Sequence, residues 1–109
     1  MAVIYHIASI AAWENLGDGA YRGDTLESDG FIHCSTREQA LRTAERYYKG
    51  RTGLALLEIE EARLAAPLRY EVSTGGDLFP HIYGPLNRDA VVAVYPFEPE
   101  MDGTFKWPG

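Results

Sequence analysis

One cysteine, Cys34, stands in this 109-residue chain, so no intramolecular disulfide can staple it. A lone thiol in a domain of this size points to a reducing compartment and a cytoplasmic location. No apolar run approaches the roughly 20 residues that a membrane helix needs. The apolar N-terminus lacks a basic start and carries Glu14 early, which is not the pattern of a signal peptide. Basic residues are scarce as well: ten Lys and Arg face sixteen Asp and Glu, for a net charge of −6. That balance works against sequence-independent binding to nucleic acid or to an anionic membrane, while leaving room for a local basic pocket. Internal repeats and low-complexity segments are missing too. What remains is a single soluble domain over residues 1–109, 46% hydrophobic and so able to build a core without disulfide or metal.

The apolar residues are arranged mostly as strands. Val3 to Ala8 reads as a strand, and Ser9 is placed to cap a short helix through about Leu16, ended by Gly17 and the Asp18-Gly19 turn. Ala20 to Leu26 reads as a short, irregular edge strand and Phe31 to Cys34 as a compact second strand. The clearest helix follows, with Ser35 as N-cap, Glu38 completing a capping box, and Ala40, Leu41, Ala44, Tyr47 and Tyr48 at helical spacing before the stop at Gly50. Arg37, Arg42, Glu45 and Arg46 fall on its solvated side. Leu54 to Ile59 is a continuous apolar run and hence a buried central strand. Leu68 to Val72, a short segment around His81 and Ala90 to Phe97 supply further strands, with a loop from Ser73 to Asp77. Phe105 and Trp107 in the tail are expected to pack back on the body. Because no helices separate the later strands, a doubly wound parallel sheet is excluded. The fold expected is α+β, a mainly antiparallel split sheet with two helices.

All three histidines lie in apolar strand phrases: Tyr5-His6-Ile7, Ile32-His33-Cys34 and Pro80-His81-Ile82. An imidazole in such surroundings needs a hydrogen-bond partner, and histidine is the side chain suited to proton chemistry near neutrality. Strand alternation puts His6 beside Ile4 and Ala8, His33 beside Phe31 and Ser35, and His81 beside Tyr83. If the three segments are neighbours in one sheet, the imidazoles converge. Three histidines and a water also form a catalytic zinc set, although the wide spacing follows no metal motif. Cys34 points away from His33, which rules out a direct dyad and leaves it as a small buried hydrophobe. Ser35 and Thr36 belong to the helix cap and also to a helix N-terminus able to meet anions. Tyr83 either packs or stacks on a ligand, while Glu71 reads as a surface strand residue.

These phrases together resemble the small bacterial and plant family catalogued as domain of unknown function 952. The supporting residues are Ile4-Tyr5-His6-Ile7, Trp13, Gly30-Phe31-Ile32-His33-Cys34-Ser35-Thr36, Leu56-Leu57-Glu58-Ile59 and Phe79-Pro80-His81-Ile82-Tyr83-Gly84-Pro85-Leu86. That family in turn looks like a remote branch of the ADP-ribosyltransferase fold. The resemblance implies that Tyr5-His6 matches the Tyr-His strand whose histidine holds the ribose of NAD. Gly30 to Thr36 is similar to the Gly-Phe-Tyr-Ser-Thr phrase but two residues longer, with His33 near the nicotinamide-stacking tyrosine. Where many transferases place a late glutamate, His81 occupies the corresponding region.

The leading expectation is therefore a pocket with His6, His33 and His81 as catalytic candidates and Ser35, Thr36 and Tyr83 as ligand contacts. The implied ligand is NAD or an ADP-ribose-type nucleotide, and the implied reaction is ADP-ribosyl or phosphoryl-group transfer. Two alternatives stand beside it: a non-catalytic binding or regulatory module that keeps the pocket, and a three-histidine zinc hydrolase.

Overall fold

A computed structural model describes residues 2–17 and 19–108. The expected turn residue Asp18 lies outside the described residues. Nine principal elements run β1 (Val3–Ser9), α1 (Ile10–Glu14), α2 (Leu26–Asp29), β2 (Ile32–His33), α3 (Arg37–Tyr47), β3 (Leu54–Glu60), β4 (Leu68–Val72), β5 (Leu78–Ile82) and β6 (Val91–Pro96). They form two three-stranded antiparallel sheets, ordered β1-β3-β6 and β2-β5-β4. This is the α+β arrangement of antiparallel sheets expected from the order of elements, corrected in one respect: α2 is a third helix beside the two expected. No helix among the described residues is long and apolar enough to cross a membrane.

The first sheet is covered on both faces, which explains the uninterrupted apolar run of its central strand. On one face, Ile4, Ala8, Leu57 and Ile59 meet Ile32 and Ile82 of the second sheet. On the other, Tyr5, Ile7, Leu54 and Leu56 pack on Ala40 and Ala44 of α3 and on Phe97 and Phe105 of the tail. Full burial of each such aliphatic side chain contributes roughly 1.5–3 kcal/mol. The sheets are stitched at one point, where Tyr5 and Ser35 exchange backbone hydrogen bonds of 2.8 and 2.7 Å. That bridge brings β1 beside the chain leaving β2, and with it His6 beside His33.

Three local expectations are corrected. Residues 20–26 form no strand: only Tyr21 pairs, in an isolated bridge to Leu86, and the chain then enters α2. Gly30, at φ +85°, supplies the left-handed residue that ends α2 and turns the chain into β2. The N-cap of α3 is Thr36 instead of Ser35, and its box partner is Gln39 instead of Glu38. Gln39 wins because it is buried and bonds twice, accepting from the Thr36 amide at 3.0 Å and donating to the Leu78 carbonyl at 2.7 Å. Finally, α3 stops at Tyr47, which is 56% exposed and thus off the buried face where helical periodicity placed it.

Candidate functional site

His6 sits on the β1 face shared with Ile4 and Ala8, as alternation requires. Its Nδ1 lies 2.6 Å from the carbonyl oxygen of His33. A carbonyl only accepts, so Nδ1 carries the proton, and Nε2 is left to accept from the Tyr21 hydroxyl at 3.0 Å. Both ring nitrogens are thereby engaged in one neutral tautomer. Burial opposes the charged form and drives the ring from 6.5 down to about 4, outweighing the upward pull of the His33 carbonyl. Tyr21 is itself buried, and burial pushes its phenol up.

His33 is exposed. Its Nε2–H donates to Asp29, four residues back on α2, at 2.9 Å, and its Nδ1 has no partner among the described residues. His6, Tyr21, His33 and Ser35 line a cleft of about 750 Å³, within the range of small-molecule sites. Ser35 is buried there and donates its hydroxyl to Thr43 at 3.1 Å. α3 and the segment after it bring Arg42, Arg46, Tyr48 and Arg51 to the same cleft, and the chain before α2 and around the start of β5 adds Asp24, Asp77 and Phe79. Arg42 is paired with Asp77 at 3.7 Å and Arg51 lies 5.0 Å over the Tyr48 ring. Arg46 has no ion-pair partner among the described residues.

The histidines do not share one sheet. His6 belongs to the first; His33 and His81 are direct cross-strand partners in the second. Ile32, Ile82 and Leu68 point into the core, so Phe31, His33, Phe79, His81, Arg69 and Glu71 share the opposite face. There His81 is 3% exposed, stacked on Phe31 at 4.1 Å, and held by Glu71, whose Oε1 lies 2.9 Å from Nδ1. The Tyr83 hydroxyl donates to the same carboxylate oxygen. That bond, and then the one from His81, holds the Glu71 carboxyl below its ordinary value. His81 Nε2 is buried without a hydrogen-bond partner among the described residues. His81 and Tyr83 therefore lie outside the cleft wall, and Thr36 is occupied as the cap of α3.

Four contributors had no site role in the sequence reading. Arg42 and Arg46 read as a solvated stripe, yet their spacing of four places them on one side of α3, and that side faces the cleft. Asp29 precedes His33 by four residues, but only the left-handed turn at Gly30 brings the pair together. Glu71 becomes more than a surface residue only through a cross-strand neighbour ten positions away. Among the described residues, no three His, Cys, Asp or Glu side chains are grouped to hold a metal ion. The three-histidine zinc set is thus corrected: both ring nitrogens of His6 are bonded, to the His33 carbonyl and the Tyr21 hydroxyl, so the third imidazole has no nitrogen to give a metal. Cys34 is buried against the core, where burial raises its thiol.

Residues 7–94 match the family model described as "Protein of unknown function (DUF952)". The chain belongs to this family. Among solved structures, the DUF952 chain is similar to protein CC0527 from Caulobacter crescentus. The crystal structure of that protein is 36% identical with a TM-score of 0.88, over 96% of this chain and 94% of that one. Its solution NMR structure is 38% identical with a TM-score of 0.82, over 95% and 91% of the two chains. No curated protein matches the DUF952 chain.

Proposed function

We propose that this domain binds an anionic nucleotide-type small molecule, of the NAD or ADP-ribose class, in the cleft between β1, β2 and α3. The observation that carries this reading is electrostatic. A chain of net charge −6 turns Arg42, Arg46 and Arg51 toward one cleft that also holds His6 and Tyr48. Asp24, Glu45 and Asp77 share the wall, and Asp77 is paired with Arg42, which leaves Arg46 and Arg51 as the cations without an ion-pair partner among the described residues. Guanidinium groups suit a diphosphate, which they bind with paired, charge-assisted hydrogen bonds. Tyr48 offers a ring for a base, and His6, fixed in one tautomer, orients a ribose. The resemblance of Tyr5-His6 to the NAD-holding phrase of ADP-ribosyltransferases assigns His6 the same part, and likeness to that fold belongs to this proposal. His6 acts by position: both its nitrogens are bonded and its pKa of about 4 keeps it neutral at pH 7.

A binding or regulatory module without turnover is the second reading, favoured by His81 standing outside the cleft wall. Calorimetric titration with ADP-ribose, NAD and ADP tests the shared part. Binding that weakens with salt and falls about tenfold in Arg46→Ala is the expected result. No heat and no amide shift with any of the three at millimolar concentration would overturn it.

A further inference from the structure

The second sheet carries an arrangement that ligand binding alone does not use. His33 and His81 face each other across neighbouring strands with ring centroids 5.3 Å apart. Each is held through one nitrogen by its own carboxylate, His33 by Asp29 and His81 by Glu71, both at 2.9 Å. In each ring the second nitrogen is left over: among the described residues Nδ1 of His33 has no partner, and Nε2 of His81 is buried without one. An orphaned nitrogen on a residue 3% exposed is costly to keep, and Glu71 together with Tyr83 keeps it in place. Arg69 is the next member of the same row, paired in register with His81. The row meets the cleft at His33 and Phe79, which line it, and His81 lies directly across from the first and two residues from the second.

We infer that His33 and His81 form an acid–base pair for phosphodiester chemistry on a nucleotide held in the cleft. The inference rests on the nucleotide reading and adds the bond that is broken. Acid and base on adjacent strands, with guanidinium groups and no free nucleophile beside them, suit attack by water on phosphorus. Cys34 borders the cleft but is only 3% exposed, and Ser35 is bonded to Thr43. For a 2′,3′-cyclic phosphate, Nδ1 of His33 takes a proton from water as the water oxygen bonds to phosphorus. The bond from phosphorus to one ribose oxygen breaks, and that oxygen takes the proton from Nε2 of His81. Proton exchange with solvent restores both rings, so no other reactant is needed. His81 Nε2 is buried and His81 lies behind the cleft wall, so the phosphate reaches it only when the side chains around that ring, Phe31 among them, shift. His33 and His81 are the catalytic residues of this step, and Asp29 and Glu71 are positioning residues.

The test follows adenosine 2′,3′-cyclic phosphate by phosphorus NMR, with ADP-ribose binding measured separately on the same preparations. Wild-type protein is expected to open the ring to a monophosphate. His33→Gln and His81→Gln are expected to lose on the order of 100-fold or more in rate, with ADP-ribose binding retained in His81→Gln, whose side chain lies outside the cleft wall. Glu71→Gln should lower kcat with KM held within about twofold, and should displace the limb of the pH–rate profile that reports His81, a change that a merely structural role would not produce. The groups that set that profile are Asp29, Glu71, Arg69 and Tyr83. Should His81→Gln fail to fold, the exposed His33→Gln variant decides. Intact cyclic phosphate in the presence of wild-type protein that binds ADP-ribose overturns this inference and leaves the nucleotide reading standing. Unchanged turnover in His33→Gln overturns it equally. Loss of both binding and turnover in wild-type protein overturns the two together.

Discussion

At the scale of single residues, the three imidazoles differ because their partners differ. His6 is bonded at both nitrogens, and its folded pKa of about 4 lies below the 6.5 of a free imidazole. A histidine depressed in this way binds its proton more readily in the unfolded chain. The stability it contributes is therefore complete above about pH 6.5 and declines as the pH falls toward 4. The full shift corresponds to about 3 kcal/mol, and the open cleft beside the ring lowers this to roughly 2 kcal/mol. The charged and titratable neighbours are His33 and Asp24, which act in opposite directions. Urea midpoints at pH 7.5, 6 and 5 are expected to fall steadily in the wild type, and much less in His6→Gln. An equal decline in both proteins would assign the acid sensitivity elsewhere. Glu71 acts in a lower window: its carboxyl is held below 4.5, so its contribution is present above that pH and is lost on further acidification. The sequence disclosed which residues to watch, since imidazoles among Ile and Phe need partners. It did not disclose the partners, because Tyr21 reaches His6 only in the folded chain, Asp29 reaches His33 through the turn at Gly30, and Glu71 reaches His81 only once β4 and β5 have paired.

At the scale of elements, apolar periodicity failed over residues 20–26 but placed β3 well, where Leu54 to Leu57 are buried on both faces. Capping was less legible. Ser35 and Glu38 satisfy the same local pattern as Thr36 and Gln39, and the choice between them was made by tertiary structure. Ser35 is drawn into the bridge with Tyr5, and Gln39 reaches Leu78 on β5. The consequence can be measured on α3. Gln39→Leu leaves the Thr36 amide and the Leu78 carbonyl without their side-chain partner, at a cost of roughly 2 kcal/mol. Glu38→Ala removes an exposed side chain in the first turn and should stay within about 0.5 kcal/mol. Chemical denaturation of the two variants separates them, and equal losses would restore the cap to Ser35 and Glu38. Because α3 also carries Arg42 and Arg46, a loosened N-terminus in Gln39→Leu should weaken ADP-ribose binding along with stability.

At the scale of the whole molecule, the order of layers is α3 and tail, first sheet, second sheet, with cores on both sides of β1 and β3. The cleft opens beside the Tyr5–Ser35 bridge, so its two walls move together only while both cores are intact. The tail has a larger part in this than its irregular backbone suggests. After β6, Phe97 donates its amide to Leu54 at 2.9 Å. Phe105 is buried and stacked on Phe97 at 4.7 Å, and Trp107 meets Tyr5 edge-on at 4.9 Å with Arg37 above it at 4.2 Å. Aromatic residues in an otherwise polar C-terminus signalled that packing, but not which face they would cover. Since they cover the α3 side of the first sheet, Phe105→Ala should cost about 3–5 kcal/mol, as for other large buried aromatics. Loss of tertiary and secondary circular dichroism should remain a single coincident transition in that variant, because the two cores share strands. A variant that unfolds in two steps, releasing the tail before the sheets, would mean that the tail is an appendage and that the cleft is held by the sheets alone.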